Sequence, residues 1–214
     1  MTITTDIDGT LKVGPIRFQG QRPTCIAFAA SDLHAAVRTS TYDALSAEYL
    51  FYHARKRAPH FDPTRGATLQ QTMEAVAADG QPVEAKWPYM LKLPAITAYI
   101  PPSGISPVFK RSATLLPVTF AALDAELRSG RPAMIVFENT ENFMYAKRDT
   151  PVAVTTGDPV TGLHAVVAVA LGTANTTRCV KVKNSWGTGW AGDGYGWLAE
   201  SYFTAHAIAV VQMV

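Results

Sequence analysis

Cysteine is scarce in this chain of 214 residues: there are two, Cys25 and Cys179. Two cysteines cannot form a disulfide framework, so the chain reads as one folded under reducing conditions. Long apolar runs are missing as well. Nothing approaches the roughly 18 consecutive apolar residues of a membrane-crossing helix, and no membrane partner is expected. The first residues, Met1 to Asp6, lack the basic start and apolar run of a secretory signal. Synthesis in the cytoplasm is the expectation, with export by a specialised secretion system left open. Charge of one sign is lacking too. The formal net charge is +2, and the longest basic run is Arg55-Lys56-Arg57. That argues against nucleic acid as the main partner, and the short run is expected to be a solvated helix end. No Cys/His pair has ligand spacing, so neither metal nor cofactor is expected.

What the chain does have is apolar content, 48% against 17% charged, which excludes wholesale disorder. Its length suits one medium domain or two tightly joined lobes. The segment Cys25–Arg38 is apolar on every face, the mark of a central buried helix. A second helix is predicted from Ala47 to Arg57 with Ser46 as N-cap. A third follows a Thr68/Gln71 capping box and closes at Gly80. Pro88, Pro94, Pro101, Pro102 and Pro107 then punctuate an irregular connection. A further helix is predicted over Phe120–Ser129, among strands Ala113–Val118, Ala133–Glu138, Ala165–Leu171, Cys179–Lys183 and Tyr195–Leu198. Helices first and strands later predict an α+β fold with a cleft between two lobes.

The chemistry starts at Cys25. A thiol opening a helix feels the positive end of the dipole and unpaired N–H groups, which favours thiolate. By position alone, a small buried core cysteine is an equal reading. Among the histidines, His34 points to the opposite side of the same helix at about 100° per residue. His53 and His60 fall near basic, exposed sequence, and His206 lies in the tail. His164 stands at the mouth of an apolar strand, where an imidazole usually has an assigned partner; taken singly, a satisfied structural histidine is a strong competing reading. One hairpin later comes Asn184, whose amide oxygen would fix the ring's tautomer, with Trp186 to shield that hydrogen bond from water. The glycine-rich run that follows lacks the Gly-Lys-Ser/Thr ending of a phosphate loop. Strict alternation sets Val180, Val182 and Asn184 on one strand face and Cys179, Lys181 and Lys183 on the other. Cys179 is therefore neither catalytic nor paired.

Cys25, His164 and Asn184, in that order, resemble the papain-like cysteine peptidases. Gln19-Gly20 with Cys25-Ile26-Ala27-Phe28-Ala29 is similar to the family's nucleophile segment, and His164-Ala165-Val166 to its histidine segment. Asn184-Ser185-Trp186-Gly187-Thr188-Gly189-Trp190 with Gly194-Tyr195 is similar to its asparagine segment, and Gly66 to Tyr89, with Trp87-Pro88-Tyr89, to a stretch of prokaryotic members. The Cys25–His164 spacing falls within the roughly 130–150 residues of this family. The resemblance implies a helical lobe (roughly residues 19–110) and a β-barrel-like lobe (roughly 111–214 plus the N-terminal segment) making a single domain over 1–214.

It also implies an endopeptidase acting on protein or peptide substrates through a thioester. Cys25 and His164 would form a thiolate–imidazolium pair oriented by Asn184, with the Gln19 amide and the Cys25 N–H as oxyanion hole. Gly66 and Ala67 would meet the substrate backbone, and Ala67 with Leu163 would line an apolar pocket. Three positions depart from the family pattern: Arg22 stands where a disulfide cysteine is usual, Ile26 where an aromatic residue is usual, and Leu163, before His164, where plant members often have an acidic residue. The short segment before Gln19 leaves no room for a folded inhibitory pro-segment. Three accounts of restraint are open: an excised mature domain, a prokaryotic enzyme without a pro-segment, or a toxin-like bacterial effector held by a cleft-blocking inhibitor or immunity protein. A silent peptide-binding module and a cysteine-dependent acyl transferase or amidase are the rival functions.

Overall fold

A computed structural model describes residues 2–39 and 41–214. The chain opens with strand β1 (Ile3–Asp8) and then runs through helices α1 (Cys25–Arg38), α2 (Ala47–Arg55) and α3 (Leu69–Ala78). After the proline-rich stretch come β2 (Ala113–Leu116), α4 (Phe120–Arg128), β3 (Ala133–Thr140) and the single turn α5 (Glu141–Met144). The last part holds β4 (Val160–Ala174), β5 (Thr177–Lys183), β6 (Tyr195–Ala199), α6 (Glu200–His206) and β7 (Ala207–Met213).

Local signals explain most of the helix ends. Ser46 caps α2 by accepting from the Tyr49 N–H. Thr68 and Gln71 make both halves of a capping box at α3. Gly80 and Gly130, both at positive φ, stop the chain after α3 and α4. Helix α2 ends two residues before the predicted Arg57, and the basic run is not a solvated end. Arg55 is buried and donates to the carbonyls of Asp62 and Gly66, Arg57 pairs with Asp79, and only Lys56 is exposed.

The sheet runs β2-β7-β3-β4-β5-β6, with β1 added on β4, and every pairing between these strands is antiparallel. Both of its faces are covered, which is why Ala165–Leu171 is continuously apolar rather than alternating. On one side Val136, Ala165, Val167, Val169 and Cys179 pack against α1, α2 and α3. On the other Phe137, Val166, Ala168, Val180 and Val182 pack against α4 and α6. The predicted alternation along β5 holds, and Lys183 is buried with Cys179. Its ammonium meets Asp32 of α1 at 2.7 Å and the Val13 carbonyl at 2.5 Å. Asp32 also takes Arg17 at 3.3 Å and the Tyr42 hydroxyl at 3.0 Å. This cluster ties the central helix to the strand end one residue before Asn184. Among the described residues no helix is long and apolar enough to cross a membrane.

Candidate active site

The strand register brings His164 and Asn184 together. β4 and β5 pair antiparallel with Val167 opposite Lys183, so the residues at the same end of both strands become neighbours. His164 Nε2 lies 2.7 Å from Asn184 Oδ1. The same oxygen accepts the Ser185 backbone N–H at 2.8 Å. A backbone N–H only donates, so this atom is the amide oxygen, and the imidazole must carry its proton on Nε2. Nδ1 is left with a lone pair for proton transfer. Trp186 lies over the ring, centroids 4.4 Å apart at 34°, and Phe143 stands 5.8 Å away on another side. Burial pulls the His164 pKa down from 6.5 to about 4, against the opposing effect of the Asn184 hydrogen bond. The Asn184 Nδ2 is buried without a partner among the described residues.

Cys25 is the first residue of α1 and is partly exposed, while Ile26 behind it is buried in the core. Burial pushes the thiol up, opposed by backbone hydrogen bonds from Ala165, Ile26 and Cys25 itself. The Ala165 contact sets the sulfur against β4, beside His164. Each environment disfavours its group's charged form. The thiolate–imidazolium pair expected above would therefore depend on the mutual attraction of its charges, not on either site alone.

Gln19 sits in the loop that approaches α1, and this loop runs along the asparagine segment. The Gln19 N–H donates to the Ser185 carbonyl at 2.8 Å, and the Gly187 N–H to the Arg17 carbonyl at 3.0 Å. The side-chain amide of Gln19 is oriented at both ends. Oε1 accepts from Ser185 Oγ at 2.6 Å, and Nε2 donates to the Arg22 carbonyl at 2.8 Å. One N–H of the NH2 group is thus used, and the second has no acceptor among the described residues.

Two depressions meet at Pro23. One, of about 390 Å³, is lined by Cys25, His164, Gly66, Ala67, Leu163 and Ile208, among others. Its hydrophobic rim is open to solvent: Leu163 is 67% and Ile208 50% exposed. The other, of about 470 Å³, is lined by Gln19, Trp186, Phe18, Met144 and Tyr145 among others. Gly66 and Ala67 therefore lie beside the thiol, with the Gly66 carbonyl braced by Arg55 at 3.0 Å. Sequence reasoning missed Ile208 and Ala209, which reach the first depression from β7, and Ser185, which holds both Gln19 and Asn184. His34 lies on the far side of α1 as predicted, fully buried and bonded to Gln81. His53 is half-buried against Asp79 rather than exposed. No cluster of three metal-ligating side chains occurs among the described residues.

A buried helix with a thiol at its head, packed on an antiparallel sheet that carries a tautomer-fixed histidine, defines a thiol-hydrolase type of site. The family model described as papain family cysteine protease matches residues 4–212, and the chain belongs to that family. Among known proteins, it is 39% identical over 66 residues to cysteine proteinase 3 of Solanum lycopersicum, a match spanning 30% of this chain and 18% of that protein. Among solved structures it is similar to xylellain, a cysteine protease from Xylella fastidiosa, with TM-score 0.77, 23% identity, and coverage of 97% of this chain and 84% of that one. The Carica candamarcensis cysteine protease CMS1MS2, solved in complex with E-64, superposes with TM-score 0.75 and 23% identity, covering 97% of each chain.

Proposed function

We propose that the chain is an endopeptidase that hydrolyses peptide bonds through a thioester on Cys25. The observation that supports this most directly is the double use of Asn184 Oδ1. It leaves His164 Nδ1 as a base in the depression that also contains the thiol at the head of α1. Sulfur attacks the scissile carbonyl while His164 Nδ1 holds the thiol proton. The remaining N–H of Gln19 and the backbone N–H of Cys25 receive the oxyanion. The imidazolium then gives its proton to the leaving amine, and the neutral ring activates the water that releases the acid. Asn184 acts through His164 and is a positioning residue.

The depression beside Cys25 favours an apolar side chain two residues before the cut, because Ala67, Leu163 and Ile208 offer no charge. Digestion of a diverse peptide library, with cut sites read by mass spectrometry, tests both statements. Cys25→Ala is expected to lower turnover by at least about 10⁴-fold. Absence of turnover by folded wild type would favour the silent binding module, and acidic or basic residues dominating that position would refute the pocket assignment. The finer reading of a delivered effector, restrained at home by a cleft-blocking protein, is supported by the sequence alone. Unharmed growth of the producing cell with the unrestrained enzyme would count against it.

A further inference from the structure

The loop between Gln19 and Cys25 has an ion pair at its centre. Arg22 is buried, and its guanidinium meets the Glu48 carboxylate in a fork, at 2.6 and 2.7 Å. A third donation reaches the Met90 carbonyl at 2.6 Å. The group lies over the Tyr89 ring at 4.8 Å and the Phe51 ring at 5.4 Å. Glu48 is itself fixed: it is fully buried in the first turn of α2, where the helix dipole favours a carboxylate, and accepts from the Met90 N–H at 2.9 Å and from the Tyr99 hydroxyl.

The backbone of Arg22 is what this clamp holds in place. Its carbonyl accepts from Gln19 Nε2 and from the Thr24 N–H, both at 2.8 Å, so one oxygen orients the candidate oxyanion donor and the residue before the nucleophile. Tyr89, under the guanidinium, adds a second tie. Its hydroxyl donates to the Gln19 carbonyl at 2.8 Å and lies 2.8 Å from Thr24 Oγ1, which donates to it. A buried ion pair contributes little net stability compared with an apolar replacement. What a bidentate fork contributes is direction.

We propose that the Arg22–Glu48 pair, with Tyr89, is a positioning unit for the Gln19 amide, working in place of the disulfide that Arg22 rules out at this position. The unit rests on the reading of Gln19 as an oxyanion donor. Arg22→Lys keeps the charge but loses the fork. It is expected to lower kcat by about 10- to 100-fold, part of the roughly 10²–10³-fold cost of losing a donor outright. KM should change less than about twofold, the affinity for a peptide aldehyde should fall in step with kcat, and the rate of Cys25 alkylation by iodoacetamide should be unaltered, because alkylation develops no oxyanion. Tyr89→Phe, the milder change, should move the same readouts in the same direction by a smaller factor and serves if Arg22→Lys does not fold.

Unaltered kcat and aldehyde affinity in Tyr89→Phe and in any folded Arg22→Lys would overturn the proposal. So would alkylation falling in step with kcat, since that marks collapse of the whole site. Gln19→Ala separates the two levels. If it leaves kcat intact, the oxyanion reading itself fails; if it lowers kcat while both other variants are silent, only the positioning role fails.

Discussion

Lowering the pH should unfold this protein through two histidines, and His34 provides the means to measure it. Gln81 Nε2 donates to Ser31 Oγ at 2.5 Å and to the Ser46 carbonyl at 3.1 Å, so Gln81 Oε1 is left to accept from His34 Nδ1–H at 3.0 Å. The other ring nitrogen, Nε2, is buried with no partner among the described residues. A proton there would have no acceptor and would face Arg111 and Arg38. Burial first, then those cations, bring the pKa from 6.5 to about 4 against the opposing Gln81 bond, and His164 is lowered to about 4 as well. Both folded pKa values lie below the unfolded one. The stabilisation is therefore fully present above pH 6.5 and is lost as the pH falls towards 4.

At 1.36 kcal/mol per unit, each histidine accounts for about 3 kcal/mol, a large share of a typical total of roughly 5–15 kcal/mol. Urea unfolding between pH 7.5 and 4, in a Cys25→Ala background to prevent self-digestion, is the assay. His34→Asn keeps a nitrogen donor for Gln81 and removes the titration. It should lower stability at neutral pH by the lost packing, yet lose about 3 kcal/mol less than its parent over this pH range. Carboxylates titrate alike in both proteins and cancel in the difference. Parallel stability–pH curves for the two would refute the reasoning.

Three further outcomes rest on the same structure. The pH–rate profile for peptide hydrolysis should be bell-shaped, with an acid limb near pH 4 from His164 and an alkaline limb from Cys25 that burial pushes above the ordinary thiol range. Neutral and ionic forms of the pair carry the same number of protons, so both give a bell; the limbs take the named assignments in the neutral form and exchange them in the ionic one. Asn184→Asp puts a carboxylate at the 2.7 Å contact and should move the acid limb up by about 1–3 units, and an unmoved limb would contradict the assigned hydrogen bond. Lys183→Met removes one partner of a buried pair and leaves Asp32 with Arg17 and Tyr42. A loss of about 3 kcal/mol in urea unfolding is expected, and less than about 1 kcal/mol would show that the pair is not coupled to the fold.

Much of the helical half was legible because its signals are local. The apolar circumference of Cys25–Arg38, the Ser46 cap and the Thr68/Gln71 box act within one or two turns, and each helix starts where they indicate. The strands of β3 to β6 were legible from composition, with ends off by a few residues. β1 was not, because Ile3–Asp8 is mostly polar and exposed and becomes a strand only by pairing with β4. β7 hid in an apolar tail with no flanking turn, and with it went Ile208 and Ala209 of the cleft.

Residue type and chain order by themselves determined the chemistry on offer: a thiol at a helix head, a histidine opening an apolar strand, an amide one hairpin later. A side chain's reactivity belongs to its own atoms, and helix and hairpin periodicity act over short spans of chain. The tertiary structure alone decided which atoms of those groups are free. Ser185 assigns the Asn184 oxygen and, through it, the His164 tautomer; Arg22 and Ser185 orient Gln19. It also decided that Arg55, which read as part of a solvated helix end, and Lys183 are buried struts of the site. Burial and hydrogen-bond partners depend on segments distant in sequence closing over one another, and no local pattern encodes that.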